Sequence, residues 1–279
     1  MSFQPITQDY NDEQMDLLSV HFWKRNEPNV AWRHAVSSVM ALPALRAFWP
    51  MSSVDYTVAN RARDVSGGGY HLSDNNTVTF GYDQLAPYAG FDGINQYLDR
   101  ADGGAANWAD ITGTETYVAP KAGGLTLGGW FYFDNAAGSS EYLISKWLGA
   151  GNQRSYVLNR DAAGTAAFNI SVNGVAATTV LSNDNTVQSL WQFIVGRFTP
   201  STELKIWLGT QAGGLDMNTN VVAMPAAVFD STTALAIGAR AGGSFPLDGR
   251  ASMCWLCASA LSDSIIMALF QQQRKMYNV

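Results

Sequence analysis

From Leu45 onward, apolar residues recur at every second position in short runs broken by Gly, Asn and Asp. Period two is the mark of strands, whose successive side chains point to opposite faces. The runs Leu127–Phe133, Tyr156–Asn159, Ala167–Val172, Gln192–Phe198, Leu204–Leu208, Leu235–Gly238 and Ala251–Cys257 are strand candidates. Asn173-Gly174 reads as a tight hairpin turn, because both central residues of a type I′ turn take positive φ. Leu261–Phe270 changes to helical spacing: Ser262 caps, and Ile265, Ile266, Leu269 and Phe270 share an inward face.

Ahead of Leu45 the period is helical. Over residues 11–26, Asn11 or Asp12 caps, and Lys24 and Arg25 fill the last turn. Met15, Leu18 and Phe22 fall on one face there. Pro28 interrupts, and a second helical stretch follows to about residue 41, ending near Pro43. A sandwich does not need two such helices, so their apolar faces require another cover. Residues 1–44 are therefore expected to form a helical arm that mediates assembly, with Phe22, Trp23, Trp32 and Met40 facing a partner. Residues 45–279 form the β domain.

Composition narrows the function classes. Charged residues are 14% and the net charge is −6, with no Lys/Arg cluster to displace counterions from phosphates. Nucleic acid is excluded as a partner. No stretch of about 20 apolar residues is present, so membrane insertion by a helix is not expected. The first residues lack a basic segment followed by an apolar core, so no signal peptide is expected. Cys254 and Cys257 lie three apart in an apolar run that reads as a strand. Their side chains then point to opposite faces, which suits two buried thiols and neither a disulfide nor a zinc knuckle.

Candidate chemistry is sparse. Glycosidases on a sandwich need acids two or four apart on one strand. The five Glu residues are Glu13, Glu27, Glu115, Glu141 and Glu203, none with such a partner. His21, His34 and His71 are scattered. No catalytic, cofactor or metal residue is assigned, and the chain is read as not an enzyme. Asp64 and Asp92 each precede a glycine-rich turn. Either could join an oxygen-rich Ca2+ loop; the simpler reading is that each caps its own turn. Trp147, Tyr156, Trp191 and Trp207 are candidates for stacking on sugar rings.

Several motifs occur in a particular order: Ala47-Phe-Trp-Pro50, Asp64-Val-Ser-Gly-Gly-Gly-Tyr-His71, Phe91-Asp-Gly with Tyr97-Leu98, Trp130-Phe-Tyr-Phe133 and Leu261-Ser-Asp-Ser-Ile265. Their sequence resembles the laminin-G-like, concanavalin A-like lectin superfamily. The resemblance covers residues 45–279 and implies an all-β antiparallel jelly-roll sandwich, here with an N-terminal helical arm and a short C-terminal helix. It differs where the family often carries a calcium-associated acid, since Gly249 is followed by Arg250, Ala251 and Ser252. A module of this kind with its own arm looks like a virion protein of a tailed bacteriophage, decorating capsid or tail. That resemblance implies other virion proteins, copies of itself and host surface glycans as partners. A free carbohydrate-binding lectin and a glycan-active enzyme are the alternatives.

Overall fold

The computed structural model describes residues 30–52, 62–83, 86–102, 124–210, 214–277 and 279. The strands, in chain order, are β1 (Leu45–Trp49), β2 (Ser73–Asn75), β3 (Thr79–Asp83), β4 (Ala86–Asp92) and β5 (Tyr97–Arg100). They continue with β6 (Leu125–Phe133), β7 (Glu141–Leu148), β8 (Gln153–Arg160), β9 (Thr165–Gly174) and β10 (Ala177–Asn185). The last are β11 (Trp191–Thr199), β12 (Glu203–Thr210), β13 (Gly214–Asn220), β14 (Leu235–Ile237) and β15 (Asp248–Cys257). Two helices are described, α1 (Val30–Met40) and α2 (Asp263–Gln273).

The strands form the expected sandwich of two antiparallel sheets. The first runs β13-β12-β11-β6-β15-β4-β3 and the second β10-β9-β8-β7-β14-β5-β2. Strand β1 pairs with the second half of β15, continuing the edge that β4 occupies along its first half. The core between the sheets is mostly aliphatic, including Leu127, Leu143, Ile144, Leu158, Ile170, Ile194, Ile206 and Leu256. Phe131, Phe133 and Phe168 fill its wider gaps.

Strand β6 does not alternate in burial, because both of its faces are covered. Gly128 and Gly129 bring its neighbours close. A Cβ at Gly128 would lie 2.6 Å from Val195 Cγ2, and one at Gly129 would lie 3.1 Å from Cys254 Cα. On that side β15 is bulged between Ser252 and Trp255, with Met253 at φ 49°. Cys254 faces the inter-sheet core, and Cys257 faces the outer side of the first sheet. Both thiols are free and buried, and burial pushes both well above their usual range.

That outer side carries a second core. Helices α1 and α2 lie over Trp130, Trp191, Phe193, Trp207 and Trp255 and bury them with Trp32, Val36, Val39, Leu269 and Phe270. Trp130 Nε1 donates to Gln273 Oε1 at 2.8 Å, and Gln273 Nε2 donates to Ser38 Oγ at 3.3 Å, so one side chain ties the sheet to both helices. Ser262 caps α2 as expected, accepting from Ile265 N at 3.4 Å.

Two expectations are corrected here. The helix over Val30–Met40 does not stand apart as an arm. Trp32 is buried, and Met40 is half-buried against the second core, so the apolar face of this helix is turned mainly onto the sheet. The nearest cover for an amphipathic helix was the sheet itself. Phe22 and Trp23, with the helix expected over residues 11–26, lie outside the described residues. The turn at Asn173-Gly174 is also not type I′: only Gly174 takes positive φ, at 80°. Asn173 Oδ1 accepts instead from Val175 N at 3.0 Å and Ala176 N at 2.9 Å, which widens the loop.

One seam between the sheets is closed by side-chain amides. Asn218 Nδ2 donates to Leu181 O at 2.9 Å, and Asn220 Nδ2 donates to Thr179 O at 2.8 Å. Asn183 Nδ2 donates to Asp216 Oδ1 at 2.9 Å. These bonds join edge strands β10 and β13 without a backbone ladder and occupy edges that would otherwise be open.

Candidate functional site

A cleft of about 300 Å³ opens at the end of the sandwich where β7 begins. Asp92, Gly93, Asn135, Ser139, Ser140, Glu141, Phe245, Pro246 and Asp248 line it. Asp92 and Asp248 face each other across the β4–β15 pairing. Gly93 follows at φ 68°, and a Cβ there would lie 2.7 Å from Asp248 Cβ, so only glycine fits the turn.

The acids are held differently. Asp92 Oδ1 accepts from Ile94 N at 2.9 Å, Asn95 N at 3.1 Å and Gln96 N at 3.3 Å. Burial raises its pKa, but the backbone donors acting together outweigh that and bring it below the usual carboxylate range. Glu141 Oε1 accepts from Asn135 Nδ2 at 3.0 Å and Asp248 N at 3.0 Å, and Oε2 pairs with Arg160. Burial nevertheless pushes Glu141 upward, against the pull of the Asp248 N–H and Arg160. Arg160 itself lies 4.2 Å over the Phe133 ring and donates to Asn135 O at 3.1 Å, which fixes the wall of the cleft. Asp248 is raised by burial and then by the like charges of Asp134 and Asp92. Among the described residues no hydrogen bond engages its carboxyl, which leaves its oxygens for a ligand.

Phe245 forms the lip. It is 40% exposed and holds φ 57°, an unusual conformation for a bulky residue. Its ring stacks on Tyr142 at 4.9 Å and 12°, and the Arg240 guanidinium lies 4.9 Å from its centroid. The backbone is held by Tyr142 N donating to Phe245 O at 3.0 Å. The cleft therefore offers one partly exposed ring, hydroxyls, an amide and a carboxylate to a polar ligand.

The aromatic residues expected to stack on sugars are elsewhere and do not converge. Tyr156 is in the inter-sheet core; Trp191 and Trp207 are in the outer core beneath the helices. Trp147 is buried at the far end of β7, with Arg154 5.7 Å from its ring. In this structure none of the four presents a face to solvent. The apolar area of Tyr156, Trp191 and Trp207 was satisfied by two cores. Phe245, Asp248, Asn135, Ser139 and Ser140 were not anticipated. A signal for Phe245 existed: a lone aromatic in Gly-Gly-Ser-Phe-Pro has no strand to bury it.

The two candidate calcium turns are capped by their own acids. Asp64 Oδ1 accepts from Phe48 N at 3.0 Å and Ser66 N at 2.9 Å, and Oδ2 accepts from Tyr70 N at 2.9 Å. Among the described residues no group of three or more His, Cys, Asp or Glu is arranged to hold a metal ion. Ser252, in the stretch after Gly249, is buried with its hydroxyl donating to Pro87 O at 2.5 Å and meeting Tyr277 Oη at 2.7 Å.

A family model described as the concanavalin A-like lectin/glucanases superfamily matches residues 102–267. The chain belongs to this superfamily. Solved structures agree with the superfamily's fold. The binding domain of Paraclostridial Mosquitocidal Protein 1 superposes with a TM-score of 0.60 at 9% identity, covering 84% of this chain and 55% of that one. The binding domain of botulinum neurotoxin DC, in complex with rat synaptotagmin II, gives 0.57 at 10% identity, covering 82% and 52%. A botulinum neurotoxin type C structure, described as entering cells through two ganglioside molecules, gives 0.57 at 12% identity, covering 81% and 51%. This chain thus spans about half the length of these neighbours. At such identities the likeness shows the fold alone. No curated protein matches the chain. Among the described residues no helix is long and apolar enough to cross a membrane.

Proposed function

We propose that this lectin-fold chain is a non-catalytic recognition module of a bacteriophage virion that binds a glycan at the rim cleft. The observation that carries the reading is the cleft's lining: an exposed Phe245 beside an unengaged Asp248 carboxyl, Asn135, Ser139 and Ser140. A sugar ring needs that combination of apolar face and hydrogen-bonding edge. The sheet face that could otherwise accept a ligand is occupied in large part by α1 and α2. The toxin domains described with synaptotagmin and gangliosides support a protein or glycan partner here.

The absence of turnover is supported by how the acids are engaged. Glycoside cleavage needs two working carboxyl groups about 5 to 9.5 Å apart. Asp92 is held by three backbone donors and Glu141 by Arg160, so Asp248 stands without a working partner. The virion role rests on the sequence resemblance. With α1 packed on the sheet, the anchoring segment is confined to the residues ahead of it, Phe22 and Trp23 among them. Other virion proteins and further copies of the chain are then its neighbours.

The test is a glycan array probed with the purified chain and with density-purified phage particles from its source. A shared hit is expected, weakened at least tenfold by Phe245→Ala and by Asp248→Asn, a loss of about 1.4 kcal/mol each. A hit indifferent to both substitutions, or particles lacking the chain, contradicts the corresponding half of the reading. Release of sugar from the bound glycan would overturn the non-catalytic assignment.

A further inference from the structure

Strand β7 ends at Leu148 and β8 begins at Gln153, with Gly149 opening the turn between them. Two arginines from separate parts of the chain converge on that glycine. A Cβ at Gly149 would lie 3.6 Å from Arg154 Nη2 and 3.9 Å from Arg240 Nη1. Each guanidinium is steadied by a ring, Arg154 at 5.7 Å from Trp147 and Arg240 at 4.9 Å from Phe245. Burial raises the pKa of the Tyr142 hydroxyl, and the charges of Arg240 and Arg154 both act against it, so one positive field covers this patch.

Two like charges brought together while half-buried call for an anion. Elsewhere the chain supplies one itself. Arg160 pairs with Glu141, Arg197 with Glu203 and Asp263, Arg250 with Asp83, and Lys146 with Asp102. Among the described residues neither Arg154 nor Arg240 has a carboxylate partner. Arg154 donates Nη1 to Val175 O, and the Arg240 guanidinium donates to no described residue. The Nε of each is shut off from water without an acceptor among the described residues. Arg160 and Arg197 share that last feature, so the missing carboxylate is what sets this pair apart.

The backbone does not demand glycine at position 149. Its φ of −70° and ψ of −35° are open to any residue, and a Cβ there would meet its neighbours at ordinary van der Waals distances. What the bare Cα leaves is space between two forks of N–H donors. Such a fork matches the two oxygens of a carboxylate lying in its plane.

We propose that Arg154, Arg240 and the space over Gly149 form a carboxylate-binding site. The chain's net charge of −6 repels a polyanion at long range, whereas a single carboxylate needs only the local pair. The carboxylate has two sources. Arg240 lies against Phe245, the lip of the rim cleft, so a sugar acid reaching past that ring sets its acid group between the arginines. That source rests on the glycan reading of the cleft. A free small carboxylate is the other, and it does not.

The arginine Nε–H signals of the full chain provide the test, since protons shielded from water exchange slowly enough to follow by NMR. Glucuronate, glucose and acetate are titrated separately at neutral pH and low salt. Glucuronate should shift the Arg154 and Arg240 signals saturably, and glucose should leave them unmoved. Arg154→Gln and Arg240→Gln, each read at the remaining arginine, should weaken glucuronate at least about tenfold. Gly149→Asp sets a carboxylate of the chain's own in the space and should abolish binding, while the uncharged Gly149→Asn should retain it. Acetate binding as tightly as glucuronate supports the site with free carboxylates as its ligands. No shift with either acid overturns the proposal, as does a shift that glucose reproduces or that survives Gly149→Asp. The two readings fail separately: acid shifts without any glycan-array hit leave this site standing and the cleft reading fallen. An array hit lost in Asp248→Asn, with no acid shift at the arginines, does the reverse.

Discussion

The two cores of this molecule are built from different materials. Between the sheets the filling is Leu, Ile, Val and Phe, whose shapes interlock across two pleated surfaces. On the outer side of the first sheet the filling is flat rings, and five of the nine tryptophans lie there: Trp32, Trp130, Trp191, Trp207 and Trp255. Helices laid on a sheet leave wide shallow gaps that large rings close, and the rings bring polar edges with them. Trp130 uses Gln273, and Trp191 Nε1 donates to Asp83 Oδ2 at 2.9 Å. Trp255 Nε1 has no partner among the described residues. The inter-sheet core is thus held by shape, and the outer core by shape together with a few specific hydrogen bonds. It also depends on segments from far apart in the chain.

The comparison is broken most severely by removing one of those segments. A chain starting at Leu45 loses Trp32, Val36, Val39 and Leu42, at about 1.5–3 kcal/mol of burial each. It should melt at least 10 °C lower and bind a hydrophobic dye strongly while retaining strand circular dichroism. A truncated chain that melts with the parent would show that the helix adds nothing to the outer core. A smaller effect separates hydrogen bonding from packing. Gln273→Leu keeps the volume but leaves the Trp130 N–H buried without an acceptor, at about 1–3 kcal/mol in urea unfolding. Gln273→Glu, which keeps an acceptor, should recover part of the loss; equal losses in both variants would make packing the cause.

The least effect comes from pH at the first core's edge. Burial and then Arg63 lower His71, and its Nδ1 accepts from Asp64 N at 3.1 Å. The folded state therefore prefers the neutral ring. Stability from this group is full above the unfolded value of about 6.5 and is lost as pH falls below it. The expected change is a modest fall in thermal midpoint between about pH 6.5 and 5, absent in His71→Asn. An equal fall in that variant would assign it to other groups.

The inter-sheet core was legible because its residues recur at every second position in β9 and β12, as Phe168 and Ile170 and as Leu204, Ile206 and Leu208. The C-terminal helix was legible from Ser262 and its apolar spacing. The outer core was not. Strand β6 and the second half of β15 are buried on both sides, and a continuous apolar run does not say what covers its second face. Helix α1 was seen as a helix, yet its partner lay more than 80 residues away in sequence at Trp130 and beyond. The rim cleft was harder still. Asp92, Glu141 and Asp248 meet only through strand register and the buried Arg160, and no local spacing encodes that meeting.

Strand β15 carries a consequence of its own. Cys254 and Cys257 stand on one strand with their sulfurs in different cores. A buried thiol reacts with a labelling reagent only when its surroundings open, so the reaction rate of each measures a separate opening equilibrium. Cys257 times the lifting of the helices, and Cys254 times the parting of the sheets. The protein thus contains two native clocks, three residues apart, that report whether its layers come apart together or in turn.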